Sequence, residues 1–389
     1  MLHNRRLTRC SRADVLWSIL LFVAGQLGLA LAIERWLPEL RDPRYACRAS
    51  QLIRRTAAGG PQPLSIVMLG SSRVQDGFDS TDLEAQLSQQ FGRPLIIFNF
   101  GLPAAGPVAN LLHFERMIGA GVKPDLLLVE VAPVLLGGQE GVPQEAGYFS
   151  ADRLWQSELE LVARYGLPAD RLRRDWWENW FVPCHGHRSA IASRLLPDML
   201  PPWLQLCGDR EADASGWRVR NAQPLTAEDR RRACEYARND FCVPLQSFQL
   251  CEAACRAQRD LLARCREEQI ATALVWMPEG KTFQSWYPSY VEDQVRRHLR
   301  DLTAEFDVPL IEARDWADED DFVDGHHLRH AGAVRFSQRL GREVLLPLLH
   351  VERERWDEYL ASLEYHGHRP TASFASRPVV QERSGMLVR

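Results

Sequence analysis

The sequence predicts a three-layer α/β/α domain built on a parallel sheet, tethered by an N-terminal apolar helix. Three observations carry that reading. Apolar runs of strand length alternate with helical stretches, the runs are apolar throughout, and turn residues follow them. Such strands belong to parallel sheets covered on both faces, because neither side meets water. With 389 residues and 46% hydrophobic content, the chain is long enough to bury a substantial core. A net charge of -4 argues against nucleic acid as a partner, since such a partner selects a basic face.

The first element is the apolar helix. Arg5, Arg6, Arg9 and Arg12 precede residues 15–33, where Ser18 and Gln26 are the polar side chains. Nineteen helical residues rise about 28 Å, close to the hydrocarbon thickness of a bilayer. The arginines keep residues 1–13 in the cytoplasm, so residues 14–34 read as a single-pass anchor in a bacterial inner membrane, with the rest extracytoplasmic or periplasmic. The competing reading is a cleaved signal peptide, because Ala30-Leu31-Ala32 has the small-x-small form of a cleavage site.

Residues 35–63 form a polar connector. Strands are then expected at 64–69, 95–98 and 126–129. Between them, a helix starts on a Thr81–Glu84 capping box and ends at Gly92, and another spans 107–120. The rhythm stops after residue 136. Residues 137–267 read as a Cys-rich insertion, and the alternation resumes with strands at 271–276 and 308–311 around a helix at 291–306. A helix at 331–348 closes the domain, which comprises 64–136 and 268–350, and 351–389 is a polar tail.

Eight cysteines fall on the exported side: Cys47, Cys184, Cys207, Cys234, Cys242, Cys251, Cys255 and Cys265. An even set in an oxidising compartment predicts disulfides, with the pairing open among on the order of a hundred possibilities.

In a parallel sheet, ligands meet the carboxyl ends of the strands. Gly70-Ser71-Ser72-Arg73 follows the first strand, Asn99-Phe100-Gly101 ends the second and Glu130 ends the third. A serine nucleophile needs a base, and the base needs an orienting acid. Asp324 and His327 stand three apart just before the closing helix, a spacing that lets both converge on one serine.

These residues resemble the SGNH (GDSL-type) hydrolase superfamily, in a divergent membrane-anchored branch similar to bacterial proteins that modify polysaccharide acyl groups. Gly70-Ser71-Ser72 stands where the family has Gly-Asp-Ser, which maps the nucleophile to Ser72. Asp324-Gly325-His326-His327 matches the closing Asp-x-x-His. The resemblance covers roughly residues 64–136 and 268–349 and implies a flavodoxin-like sheet, the SGNH hydrolase fold. It also implies a Ser72–His327–Asp324 triad, with the oxyanion held by the amide of Ser72 and by one from Gly101, Gly106 or an alanine between them. Arg73, Asn99 and Glu130 are possible pocket residues. The third family block departs: Glu130-Val131-Ala132-Pro133 lacks the asparagine that donates to the oxyanion, a loss of about 3 kcal/mol.

The implied function is an extracytoplasmic serine esterase or O-acyltransferase acting on an acylated carbohydrate or small ester, with a membrane acyl-transfer partner in the transfer case and no cofactor or metal. The alternative is a catalytically silent module that binds glycan or scaffolds an envelope complex. Three further clusters have bland readings. His326 and His330 favour packing over metal ligation, Cys184 with His185 and His187 favours a disulfide over zinc, and the stripe Trp176, Trp177, Trp180 and Phe181 favours core over sugar or membrane contact.

Overall fold

The computed structural model describes residues 12–57, 63–200, 212–219, 225–351 and 355–361. Five strands form one wholly parallel sheet: β1 (Leu64–Gly70), β2 (Leu95–Gly101), β3 (Leu126–Val131), β4 (Ala271–Trp276) and β5 (Leu310–Glu312), in the order β2-β1-β3-β4-β5. Successive side chains point to opposite faces, so each strand feeds two cores. Val67, Leu69, Leu127 and Val129 pack with helices Pro107–Gly119, Glu252–Glu267 and Ser289–Phe306. Ile66, Met68, Leu126 and Leu128 pack with helices Ser80–Phe91, His330–Leu340 and Trp356–Ala361. The expected parallel α/β architecture is therefore present, and the fully apolar strands reflect burial on both sides.

The strand order reverses at β1, which pairs with β2 on one side and β3 on the other. In doubly wound sheets ligands bind at such a reversal, beyond the carboxyl ends of the strands, here those of β1 and β3. The edge strand β2 is not left bare at this end. Segment 212–219 lies against it, with Asn99 N donating to Ser215 O at 2.8 Å. Gly216 sits at φ +86, and a Cβ there would fall 2.1 Å from Asn99 O, so this close approach requires glycine. Trp217 Nε1 and the Arg218 guanidinium then bond to Asp76, tying the segment to the helix that follows β1.

Two local expectations are corrected. Helix Ser80–Phe91 is capped by Asp79, whose carboxylate accepts from Asp82 N at 3.1 Å, rather than by a Thr81–Glu84 box. Thr81 instead bonds to Asp213 and Ser215, while Glu84 accepts from Ile97 N and pairs with Arg55. Tertiary partners outbid the local cap. The C-terminal expectation stands: Gly92 ends the helix at φ +75.

The disulfide expectation is also not met among the described residues, where no disulfide forms and Cys184, Cys234, Cys242, Cys251, Cys255 and Cys265 are free thiols. Cys207 lies outside the described residues. Cys251, Cys255 and Cys265 are buried at the start of, and along, helix Glu252–Glu267, where they serve as small apolar packing groups.

Helix Arg12–Arg35 is long and apolar enough to cross a membrane. Its residues 12–25 are exposed, whereas Gln26, Ala30 and Ile33 are buried. Ile33 packs with Leu40 and Ala190, and Cys184 N donates to Gln26 Oε1 at 3.4 Å. Most of the polar C-terminal segment, residues 362–389, lies outside the described residues.

Candidate active site

β1 runs straight into a tight turn. Ser71 is the N-cap of helix Ser72–Gly77, its hydroxyl accepting from Arg73 N at 3.2 Å. That geometry places Ser72 at the first helical position, with a half-buried side chain and an amide that makes no hydrogen bond to the described residues. The two serines thus divide the work: Ser71 builds the turn, and Ser72 presents its hydroxyl.

The hydrogen-bond partner of that hydroxyl comes from the other end of the sequence. Ser72 Oγ lies 2.8 Å from His327 Nε2, and His327 Nδ1 lies 2.8 Å from Asp324 Oδ2. The second carboxylate oxygen of Asp324 accepts His327 N at 2.9 Å, so the aspartate holds the histidine by ring and backbone together. The expected trio is brought together in the expected order. Gly325 at φ +88 makes the turn between them. Burial raises the Asp324 carboxyl, but the facing His327 and His326 imidazoles and the hydrogen bonds from His327 outweigh it and hold the group well below the usual carboxylate range. Asp324 therefore remains an acceptor across the physiological range, which fixes the proton of His327 on Nδ1 and leaves Nε2 free to take one from Ser72.

His326 is a packing residue. It stacks on Phe283 with ring centroids 4.9 Å apart and meets Phe241 edge-on at 4.7 Å; burial holds its ring well below the usual histidine range, hence neutral. Phe241 belongs to helix Ala227–Gln246, whose Arg230 also pairs with Asp320, so the insertion braces the Asp–His loop. His330 stacks on Trp217 at 5.3 Å. Ligand atoms of Asp324, His326 and His327 lie within 4.8 Å of one another, but an ion there would take the atoms that join His327 to its two partners.

The three residues expected in a pocket, Arg73, Asn99 and Glu130, are instead buried beneath the turn. Asn99 donates to Val74 O at 2.8 Å and Phe78 O at 2.7 Å while accepting from Gly101 N at 2.9 Å, clamping the short helix onto β2. Glu130 accepts from Ser71 N and faces Arg73 Nε at 3.6 Å. Burial pushes its carboxyl up against the pull of Arg73 and the Ser71 amide. Arg73 continues to Glu279 at 3.2 Å and donates to Met277 O and Pro278 O. Glu279 in turn binds Arg314 at 2.8 Å and accepts from Tyr287 Oη at 3.1 Å. Four alternating buried charges thus run from the Ser71–Ser72 turn across the carboxyl ends of β3 and β4. Sequence reasoning missed Glu279 and Arg314. The available signal for Glu279 was its position, three residues beyond a buried strand, next to a proline and a glycine.

The oxyanion expectation is corrected for both glycines. Gly101 N is bonded to Asn99, and a Cβ on Gly101 would fall 2.2 Å from Gln75 N of helix Ser72–Gly77, so the close approach requires glycine. Gly106 N donates to Glu145 Oε2 at 3.0 Å. Glu145 is fully buried and also accepts from Val108 N and Ala109 N, capping helix Pro107–Gly119, and burial pushes its carboxyl up to about 7. Ala105 N bonds to Leu102 O. Among the amides of this turn, that of Ala104 has no acceptor among the described residues, and Ala104 is held at φ +59, a strained conformation for a residue with a Cβ. After β3, residues 131–136 are Val131, Ala132, Pro133, Val134, Leu135 and Leu136, so that segment contributes no side-chain donor.

No protein-family model matches this chain, and no curated protein matches it in sequence.

Proposed function

We propose that the chain is a serine esterase or O-acyltransferase of SGNH type, held at the outer face of a bacterial inner membrane and acting on acyl esters of a surface polysaccharide. The observation that carries this reading is the continuous relay from Ser72 Oγ through both nitrogens of His327 to Asp324, each link 2.8 Å long. A turn serine beside an incidental Asp–His pair has no reason to align both ring nitrogens. The site lies beyond the carboxyl ends of a sheet ordered as in flavodoxin-like folds, at its switch point. The resemblance of Gly70-Ser71-Ser72 and Asp324-Gly325-His326-His327 to the superfamily's blocks supplies the substrate class.

In the reaction, His327 Nε2 takes the Ser72 proton as Oγ attacks the ester carbonyl, while Asp324 stabilises the resulting imidazolium. The amide of Ser72 receives the oxyanion, and the Ala104 amide is the candidate second donor. His327 then returns the proton to the departing alkoxide, leaving an acyl-Ser72 ester. Water gives hydrolysis of that ester, and a sugar hydroxyl gives transfer. The burial of Ala30, within the small-x-small tripeptide, and of Ile33 supports a retained helix over a cleaved leader.

The test is to incubate the full-length protein with an O-acetylated oligosaccharide and with an aryl acetate, each with and without an unacetylated sugar acceptor. Acetate released in proportion to enzyme supports esterase action, and acetylated acceptor supports transfer. Neither product, with Ser72→Ala indistinguishable from wild type, rejects the enzyme reading. One observation favours the silent glycan-binding or scaffolding module: the donor-free segment after β3. Sugar binding without turnover would support it.

A further inference from the structure

The contact between helix Arg12–Arg35 and the insertion has a geometric consequence for how the protein sits in a bilayer. The helix offers an apolar run at residues 15–33, about 28 Å long, which matches a hydrocarbon core of about 30 Å. Only residues 15–25, about 16 Å of that run, are clear of the folded domain. From Gln26 onward one face of the helix is covered, with Gln26 touching Cys184, and Ile33 touching Ala190. A domain floating wholly in water would leave the helix far too short to cross. Crossing therefore submerges whatever packs against residues 26–33, to a depth of about 10 Å below the outer end of the run.

The element at that depth has the composition that submersion demands. Helix Ala169–Phe181 is graded along its axis. Asp170, Arg171, Arg173, Arg174 and Asp175 occupy its first half, and Trp176, Trp177, Trp180 and Phe181 its second. Trp176 is buried, but Trp177 is 44% exposed, Phe181 56% and the following Val182 42%, and the Trp177 and Phe181 rings stack 5.8 Å apart. Arg171, Arg174, Asp175, Glu178, Asn179 and His185 border this patch, lining the same hollow as Trp177, Phe181 and Val182. Aromatic side chains concentrate where lipid headgroups meet acyl chains, and arginines reach back from there to water.

We infer that the elbow joining helices Ala169–Phe181 and Pro183–Gly186 is seated in the outer leaflet beside the membrane-spanning helix, with Trp177, Phe181 and Val182 against lipid acyl chains. The inference rests on the proposal above that helix Arg12–Arg35 spans the membrane. It gives the domain two attachments, a span and a shallow in-plane contact, and so a fixed orientation to the membrane rather than a free tether.

The test uses full-length protein in phosphatidylethanolamine–phosphatidylglycerol vesicles with a photo-crosslinking residue at one position at a time. Phe181→p-benzoylphenylalanine probes the elbow, Leu21→p-benzoylphenylalanine the span, and Tyr236→p-benzoylphenylalanine, on an exposed side chain of helix Ala227–Gln246, the aqueous side. Lipid adducts are expected at 181 and 21, at least about tenfold above those at 236. Adducts at 21 with 181 no higher than 236 overturn the elbow proposal alone. Adducts at neither 21 nor 181 overturn the span and the elbow together. Crosslinking of 181 to a second copy of the chain in place of lipid also overturns the proposal.

Discussion

The two flanks of Ser72 are built to different standards. On the Asp–His side, every atom of the relay has a partner within 2.9 Å, and the loop is braced by Phe283, Phe241 and Trp217. On the β3 side, the family pattern's donor position is filled by the apolar Val131, Ala132 and Pro133, and all but one of the amides of the turn after β2 are already bonded to protein acceptors. Proton transfer is thus fully provisioned, and charge stabilisation is thin. Of the two, an oxyanion donor is worth about a hundredfold or more in rate. For the esterase proposed above, the contrast predicts turnover limited by stabilisation of the tetrahedral intermediate rather than by the basicity of the relay.

The largest break comes from the strong flank. Asp324→Asn leaves the geometry but presents the wrong imidazole tautomer, and kcat with an aryl acetate falls about ten-thousandfold. A fall of less than about tenfold would mean His327 needs no orienting acid. Removing a charge under the turn comes next. Glu130→Gln leaves buried Arg73 short of one partner and costs about 3 kcal/mol of stability, read as a shift of the urea midpoint. An unchanged midpoint would show that Glu279 alone satisfies Arg73.

The weak flank can be tested by repair. Ala132 stands where the family pattern places its donor asparagine, so Ala132→Asn is expected to raise kcat by about tenfold or more with little change in KM. No gain would place the second donor elsewhere, with Ala104 as the remaining candidate. The smallest effect is in pH dependence. The folded-state pKa of Asp324 is depressed, so the native state binds fewer protons than the unfolded chain below about pH 5. Its contribution to stability is present above the unfolded pKa, near 4, and is lost as pH falls. Thermal melts from pH 6 to pH 3 should therefore steepen in wild type and flatten in Asp324→Asn. Parallel slopes would contradict the depressed pKa.

Much of this was legible in the sequence because it is locally encoded. Apolar strand runs mark both the sheet and its carboxyl ends, and Ser72, Asp324 and His327 sit at those ends, so position and residue type identified the trio together. What was illegible depends on partners distant in the chain. Arg73 reads as a pocket residue until Glu279 and Glu130 are seen to enclose it. Gly101 reads as an amide donor, whereas its missing Cβ is what lets Gln75 approach. Thr81 and Glu84 satisfy a local capping rule, yet Ser215, Ile97 and Arg55 claim them first. Cysteine number and spacing suggested disulfides, but whether two thiols meet is decided by packing, and the described cysteines fill apolar space or face solvent.

The most direct measurement of the central claim is covalent labelling of Ser72. Full-length wild type, Ser72→Ala and Ser71→Ala are exposed to a fluorophosphonate probe, and the modified peptide is sequenced by mass spectrometry. The account predicts a single adduct on Ser72 in wild type, its loss in Ser72→Ala and its persistence, slowed by the weakened cap, in Ser71→Ala. An unlabelled wild type, or equal labelling of Ser72→Ala, would contradict it.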